Sequence, residues 1–228
     1  MDRDTALRSR FHEALAVVDS TLSDLVHTVN DEVAGATEAL LRDDRAAAGE
    51  IESQKHLSDP LYDQVGRQVE VLVARQAPVA SDLRYLLAVL RAVPELEQSA
   101  ALATEIAHRG GLGVATSLTP RGRALLTRCG DVVSAMWQEL TRAWDERQAA
   151  GENLEAAGDE LRDLHNSLTT EVASSDMPAS IVMDMALIGR FYERLGDHAI
   201  NIGERLDGLN CWPAPAAAGE GQPGTDRG

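Results

Sequence analysis

The chain has 228 residues, a net charge of −16, and 44% hydrophobic residues with only 4% aromatics, enough to bury a sizeable core as one large or two small domains. The excess of acid argues against sequence-independent attraction to nucleic acid or anionic membranes, and a single lysine, Lys55, stands among its 21 basic residues. No stretch approaches the ~18 uninterrupted apolar residues of a membrane span, the opening Met-Asp-Arg-Asp-Thr lacks a secretory layout, and the two distant cysteines, Cys129 and Cys211, support neither a disulfide framework nor a Cys-based metal site; a cytoplasmic protein is expected.

Long segments of helical period separated by short breaks predict an all-α protein. A first helix runs from about Thr5 to Leu41 and breaks at Arg42-Asp43-Asp44. A second runs from about Arg45 into the seventies, with Pro60 inside it. Gln76-Ala77-Pro78 marks a turn, because residues before proline avoid the helical region. Pro78 can open a third helix that reaches about His108, with Pro94 as a kink point, and Gly110-Gly111-Leu112-Gly113 ends it.

Thr119-Pro120 reads as an N-cap and first-turn proline, opening a fourth helix to about Arg147. A fifth covers about Ala149 to Val172, and Ser174-Ser175-Asp176-Met177-Pro178 starts a sixth that ends near Leu206. The stretch from Asp207 onward is rich in glycine and proline and reads as a flexible tail carrying Trp212.

Three helices, a glycine break and three more helices suggest an internal duplication: two tandem three-helix bundles, residues 1–113 and 114–208, followed by a tail over 209–228. Aligning the halves on their acids sets Lys55 and Asp59 opposite Glu155 and Asp159, and Glu97 and Ala101 opposite Glu193 and Asp197. On that alignment each first-half pair has lost an acid and the site has gained one positive charge, at Lys55, so a cation site there is expected to be weak or absent.

The sixth helix carries the most chemistry. Ile181, Met185, Ile188, Tyr192, Leu195, Ala199, Ile202 and Leu206 form one apolar seam in four-three alternation. Gly189, Gly196 and Gly203 recur beside it; each costs about 1 kcal/mol relative to alanine in a helix, so another helix backbone is expected to approach there. Glu193 and Asp197 fall on the outward face, four residues apart, where two carboxylates stack and can share a cation. Glu155 and Asp159 make a second such pair on the fifth helix if Leu154, Leu161, Leu164 and Leu168 form its seam.

The stretch Glu193-Arg194-Leu195-Gly196-Asp197-His198-Ala199-Ile200-Asn201-Ile202 resembles the signature of the PhoU family of phosphate-signalling regulators. Arg75-Gln76-Ala77-Pro78-Val79-Ala80-Ser81-Asp82-Leu83-Arg84 is similar to that family's first-half motif, and Arg10-Phe11 fits its opening. The likeness covers roughly residues 6 to 208. It implies Glu155, Asp159, Glu193 and Asp197 as metal ligands, with Asp163 as an overlapping candidate. All-oxygen ligands suit Mg²⁺, Mn²⁺ or Ca²⁺, or iron in an oxygen-rich cluster, without specifying which. His198, about 100° round the helix from Asp197, is expected to pack or hydrogen-bond rather than ligate, and Arg194 and Asn201 to serve structure or a partner.

The resemblance further implies a non-enzymatic adaptor that couples a phosphate-specific ABC transporter, through its ATPase subunit, to a sensor histidine kinase, and so represses phosphate-uptake genes when phosphate is plentiful. It is also compatible with a homodimer. Phosphate-cradling glycine loops lack their strand context. An alternative is a carboxylate-bridged di-iron enzyme, which needs Glu-x-x-His on two helices; Glu105-Ile106-Ala107-His108 matches once, while Asp24-Leu25-Val26-His27 has the wrong acid. A helical scaffold with solubilising acids and another client is the remaining alternative.

Overall fold

The computed structural model describes residues 3–76, 78 and 80–209 and contains six long helices. They are α1 (Arg3–Arg42), α2 (Arg45–Gln76), α3 (Ala80–Gly111), α4 (Pro120–Glu146), α5 (Gly151–Ala173) and α6 (Ala179–Asp207), with one 3₁₀ turn at Ala115–Ser117 that the sequence pattern did not suggest. The order is two tandem three-helix bundles, as expected. The expected tail, with Cys211 and Trp212, lies from residue 210 outside the described residues, and so do Ala77 and Val79 of the predicted turn.

Local chemistry sets most of the ends. The α1 helix stops on Asp43, in the left-handed region at φ 53°, and the Asp44 carboxylate then caps α2 by accepting from the Ala46 and Ala47 amides at 2.9 and 3.1 Å. The Thr119 hydroxyl accepts from the Gly122 amide at 2.9 Å and donates to Glu171 at 2.8 Å. Pro60 and Pro94 are both accommodated inside helices on exposed faces, where the hydrogen bond each forfeits faces water. Pro78 precedes α3 instead of opening it.

The two bundles repeat each other closely. Leu25, Val29 and Ala36 on the α1 seam correspond to Cys129, Val133 and Leu140 on α4, and all are buried. Thr37 and Thr141 each donate to the carbonyl four residues back, and the left-handed Asp43 has its counterpart in left-handed Arg147, at φ 56°.

For α2 and α5 the burial pattern overturns the alignment drawn from acid spacing. Buried Ile51, Ser58, Val65 and Val69 match buried Leu154, Leu161, Leu168 and Val172. In that register Glu155 and Asp159 correspond to Glu52 and His56, not to Lys55 and Asp59. Lys55 takes the place of buried Gly158, on the inner side of α2. The four-residue acid spacing fits several helical registers, whereas a buried face fits one.

The expected seam of α6 is buried from Met185 to Leu206, with Ile181 partly so. The glycine stripe has a different cause from the one expected. A Cβ on Gly196 would lie 2.6 Å from Leu161 Cδ2, one on Gly203 2.6 Å from Leu154 Cδ1, and one on Gly189 3.0 Å from Leu168 Cδ2. Leucine knobs of α5, not a helix backbone, fill the glycine holes of α6. True backbone proximity occurs at Gly110, which abuts the Leu40 backbone with no room for a Cβ.

The halves join through α1 against α4 and α3 against α6. Gly130 leaves room for Thr37 where α1 meets α4, and Tyr192 donates to the Thr37 hydroxyl at 3.2 Å. Asp19, buried on α1, accepts from Tyr85 at 2.6 Å and pairs with Arg147.

Candidate functional site

The second bundle places an acidic groove of about 540 Å³ between α5 and α6, lined by Glu155, Asp159, Arg162, Asp197, Ile200, Asn201 and Glu204. The groove follows from helix geometry: Leu154, Leu161 and Leu168 commit one face of α5 to α6, which leaves Glu155 and Asp159 at its exposed edge. Three of the four expected ligands, Glu155, Asp159 and Asp197, line it together. The sequence reading missed Glu204, two turns beyond Asp197, which a longer scan of the same helical face would have found.

Glu193 behaves differently. Its side chain is only 20% exposed, ion-paired with Arg190 and held by His165 Nδ1 at 3.0 Å. It does not line the groove. Asp159 forms a 2.6 Å pair with Arg162, a surface contact of small energetic weight. Asp163 is exposed. Among the described residues, no three His, Cys, Asp or Glu side chains converge closely enough to hold a metal as they stand. A cation between Glu155, Asp159 and Asp197 therefore requires these exposed carboxylates to turn toward one another.

In the first bundle the corresponding face carries Glu52, Thr104, Glu105 and His108, along a groove of about 530 Å³ that also includes Arg45. The Arg45 guanidinium donates to the Gly111 carbonyl at 2.6 Å. Glu105 pairs with Arg109 at 2.6 Å, and both Glu105 and His108 are exposed. The one Glu-x-x-His match thus faces outward and not into the bundle core that a di-iron centre occupies.

His198 is a packing and hydrogen-bonding residue, as expected. It is buried against α3, with Nδ1 2.8 Å from the Ser99 hydroxyl. Glu95 and Arg205 pair at 2.7 Å in the same interface, and Arg194 donates to Gln98 at 3.0 Å. Burial holds the His198 pKa below its ordinary value, with Arg194 and Arg205 acting in the same direction against Glu95 and Asp197. A depressed histidine contributes stability above pH 6.5 and loses it as pH falls from 6.5 toward the folded value. The stability difference between wild type and His198→Gln should therefore shrink on acidification through that window, as measured by paired thermal melts between pH 7.5 and 5. A pH-independent difference would exclude the interface histidine as its source.

Burial also pushes the Cys129 thiol up to about 12, so it is an inert core residue. No described helix is long and apolar enough to cross a membrane.

Comparison with known proteins agrees with this architecture. The PhoU domain model matches residues 22–110 and 126–206. The "Phosphate-specific transport system accessory protein PhoU homolog 2" of Mycobacterium tuberculosis is 28% identical over 204 residues, 88% of this chain and 96% of the relative. The corresponding homolog 1 of Mycobacterium leprae is 26% identical over 204 residues, 88% and 92% of the two chains. The crystal structure of PhoU from Pseudomonas aeruginosa superposes with a TM-score of 0.81 at 24% identity, covering 87% of this chain and 98% of that one, which shows a shared fold. With one copy of the domain on each three-helix bundle, this chain belongs to the PhoU family.

Proposed function

We propose that the protein is a non-enzymatic adaptor of phosphate transport, joining the ATPase subunit of a phosphate-specific ABC transporter to a sensor histidine kinase and repressing phosphate uptake when phosphate is plentiful. The observation that carries this reading is the chain-long similarity to relatives named as accessory proteins of phosphate-specific transport. The acidic α5–α6 groove on a chain of net charge −16 adds a surface suited to a basic partner. The reading places the protein in the cytoplasm, where both partners present soluble domains.

Affinity capture of the tagged protein from its own host, at high and low phosphate, tests this directly. Recovery of a transporter ATPase or a sensor kinase by mass spectrometry supports it. Recovery of neither in both conditions rejects it in favour of another client.

Within the same reading, the exposed carboxylates of Glu155, Asp159 and Asp197 take up a hard divalent cation, while Glu193, engaged by Arg190 and His165, stands outside the groove. The donors are all oxygen, as Mg²⁺ and Mn²⁺ prefer. Asp159→Asn combined with Asp197→Asn should weaken Mn²⁺ binding at least tenfold by titration calorimetry while leaving the far-UV circular dichroism unchanged, because both side chains are exposed. Unchanged Mn²⁺ affinity in the double variant would reject this site.

A further inference from the structure

Between α1 and α2 of the first bundle lies a charge cluster that the acidic groove does not include. Glu32 sits on the α1 seam between Val29 and Ala36, is 1% exposed, and has no hydrogen-bond partner for either carboxylate oxygen among the described residues. Its counterpart on α4 is the buried apolar Met136. A carboxylate at a core position without partners is costly, so its chemistry must be sought in its neighbours.

From α2 the cation whose charge acts on Glu32 is Lys55, the single lysine of the 228 residues. Its side chain is 21% exposed, and its ammonium is held at 2.8 and 3.0 Å by the two oxygens of Asp59. Lys55 and Asp59 both act electrostatically on Glu32, and so does Asp31 on α1. Tyr62, one turn beyond Asp59, is 2% exposed with a hydroxyl that also lacks a hydrogen-bond partner, and it feels Glu32, Asp59 and, from α3, Glu97. His56 stands on the surface 3.9 Å from Asp59.

We propose that Glu32, Lys55 and Asp59 form a proton-binding site across the α1–α2 seam, in which Glu32 takes up and releases a proton and Lys55 changes partner with it. With Glu32 protonated, the ammonium stays on Asp59. With Glu32 ionised, the ammonium is drawn inward and shared between the two carboxylates, and Asp59 turns more of its charge toward solvent. Lysine suits this exchange where arginine does not: a compact point charge on a flexible stem can serve two anions in turn, while a rigid fork commits to one. Burial, opposed by Lys55, moves the Glu32 transition to about pH 7, so the exchange falls within the physiological range.

The lone lysine supplies the test. Full-length protein carrying ¹³C-labelled lysine gives one Cε resonance, which is followed between pH 5 and 9 in wild type, Glu32→Gln and His56→Gln. The expected result is a titration of the Lys55 signal with a midpoint near 7 in wild type, retained in His56→Gln and abolished in Glu32→Gln. A flat response in wild type overturns the proposal. A transition that survives Glu32→Gln but vanishes in His56→Gln overturns it too, assigning the effect to the surface histidine. Because wild type and His56→Gln keep the core intact, the proposal stays testable even where Glu32→Gln perturbs folding.

Discussion

Replacing Trp137 by alanine is expected to lower stability by about 3–5 kcal/mol, the upper end of the range for a single core truncation. Trp137 is 0% exposed on α4, and its indole N–H donates to the Leu195 carbonyl of α6 at 3.2 Å. The side chain therefore supplies both apolar area and a fixed point between the first and third helices of its bundle. Its counterpart on α1 is the smaller Val33, so the two bundles do not depend equally on this position. For a chain of this size such a loss corresponds to a fall in melting temperature of roughly 6–20 °C. Trp137→Phe, which keeps an aromatic ring and removes the donor, should lose far less, on the order of 1 kcal/mol for the hydrogen bond plus the smaller ring. Equal losses in the two variants, measured by thermal melts, would show that the indole hydrogen bond and not the packing carries the effect.

The second large expectation is a stabilisation. Burial raises Glu32 from 4.5 to about 7, with Lys55 pulling against it and Asp59 and Asp31 adding to it. A carboxyl raised on folding stays protonated in the native state while the unfolded chain ionises, so stability falls as pH rises from 4.5 to 7. At about 1.36 kcal/mol per pKa unit the full penalty above pH 7 is about 3 kcal/mol. Glu32→Gln removes the charge at nearly constant shape but leaves an amide to be satisfied, so it should stabilise the protein by about 2 kcal/mol at pH 8.5 and by nothing at pH 4.5. Urea denaturation at the two values checks this, and a difference independent of pH would reject the buried charge as its origin. His198 acts with the opposite sign in an overlapping window, losing stability below 6.5. The two variants therefore have to be compared with wild type at each pH and not with each other.

The assignments that survived into the structure rest on short-range signals. The α6 seam and the four-three spacing that exposes it, the Thr119 cap, the break at Asp43 and Asp44, and the outward placement of Glu155, Asp159 and Asp197 all follow from a helix having 3.6 residues per turn and unsatisfied ends. Even Glu32 left a trace in the chain, as the one acid interrupting Leu25, Val29 and Ala36 on a seam that is otherwise apolar. The glycine stripe was legible as a close approach, though not its cause: glycine spacing records that space is needed, while the identity of what fills it resides on another helix.

Fold class, helix order and the duplicated plan were thus determined by the sequence alone, because hydrophobic period and capping are local. The tertiary structure decided what depends on residues distant in sequence. It set the register of α2 against α5, drew Glu193 out of the groove onto His165 and Arg190, and placed Asp207 where its carboxylate caps α5 through the Ala150 and Gly151 amides at 3.0 and 2.8 Å. It also buried Glu32 beside the lone lysine. Periodicity says which face of a helix turns inward, but only packing three helices together says which charges meet there.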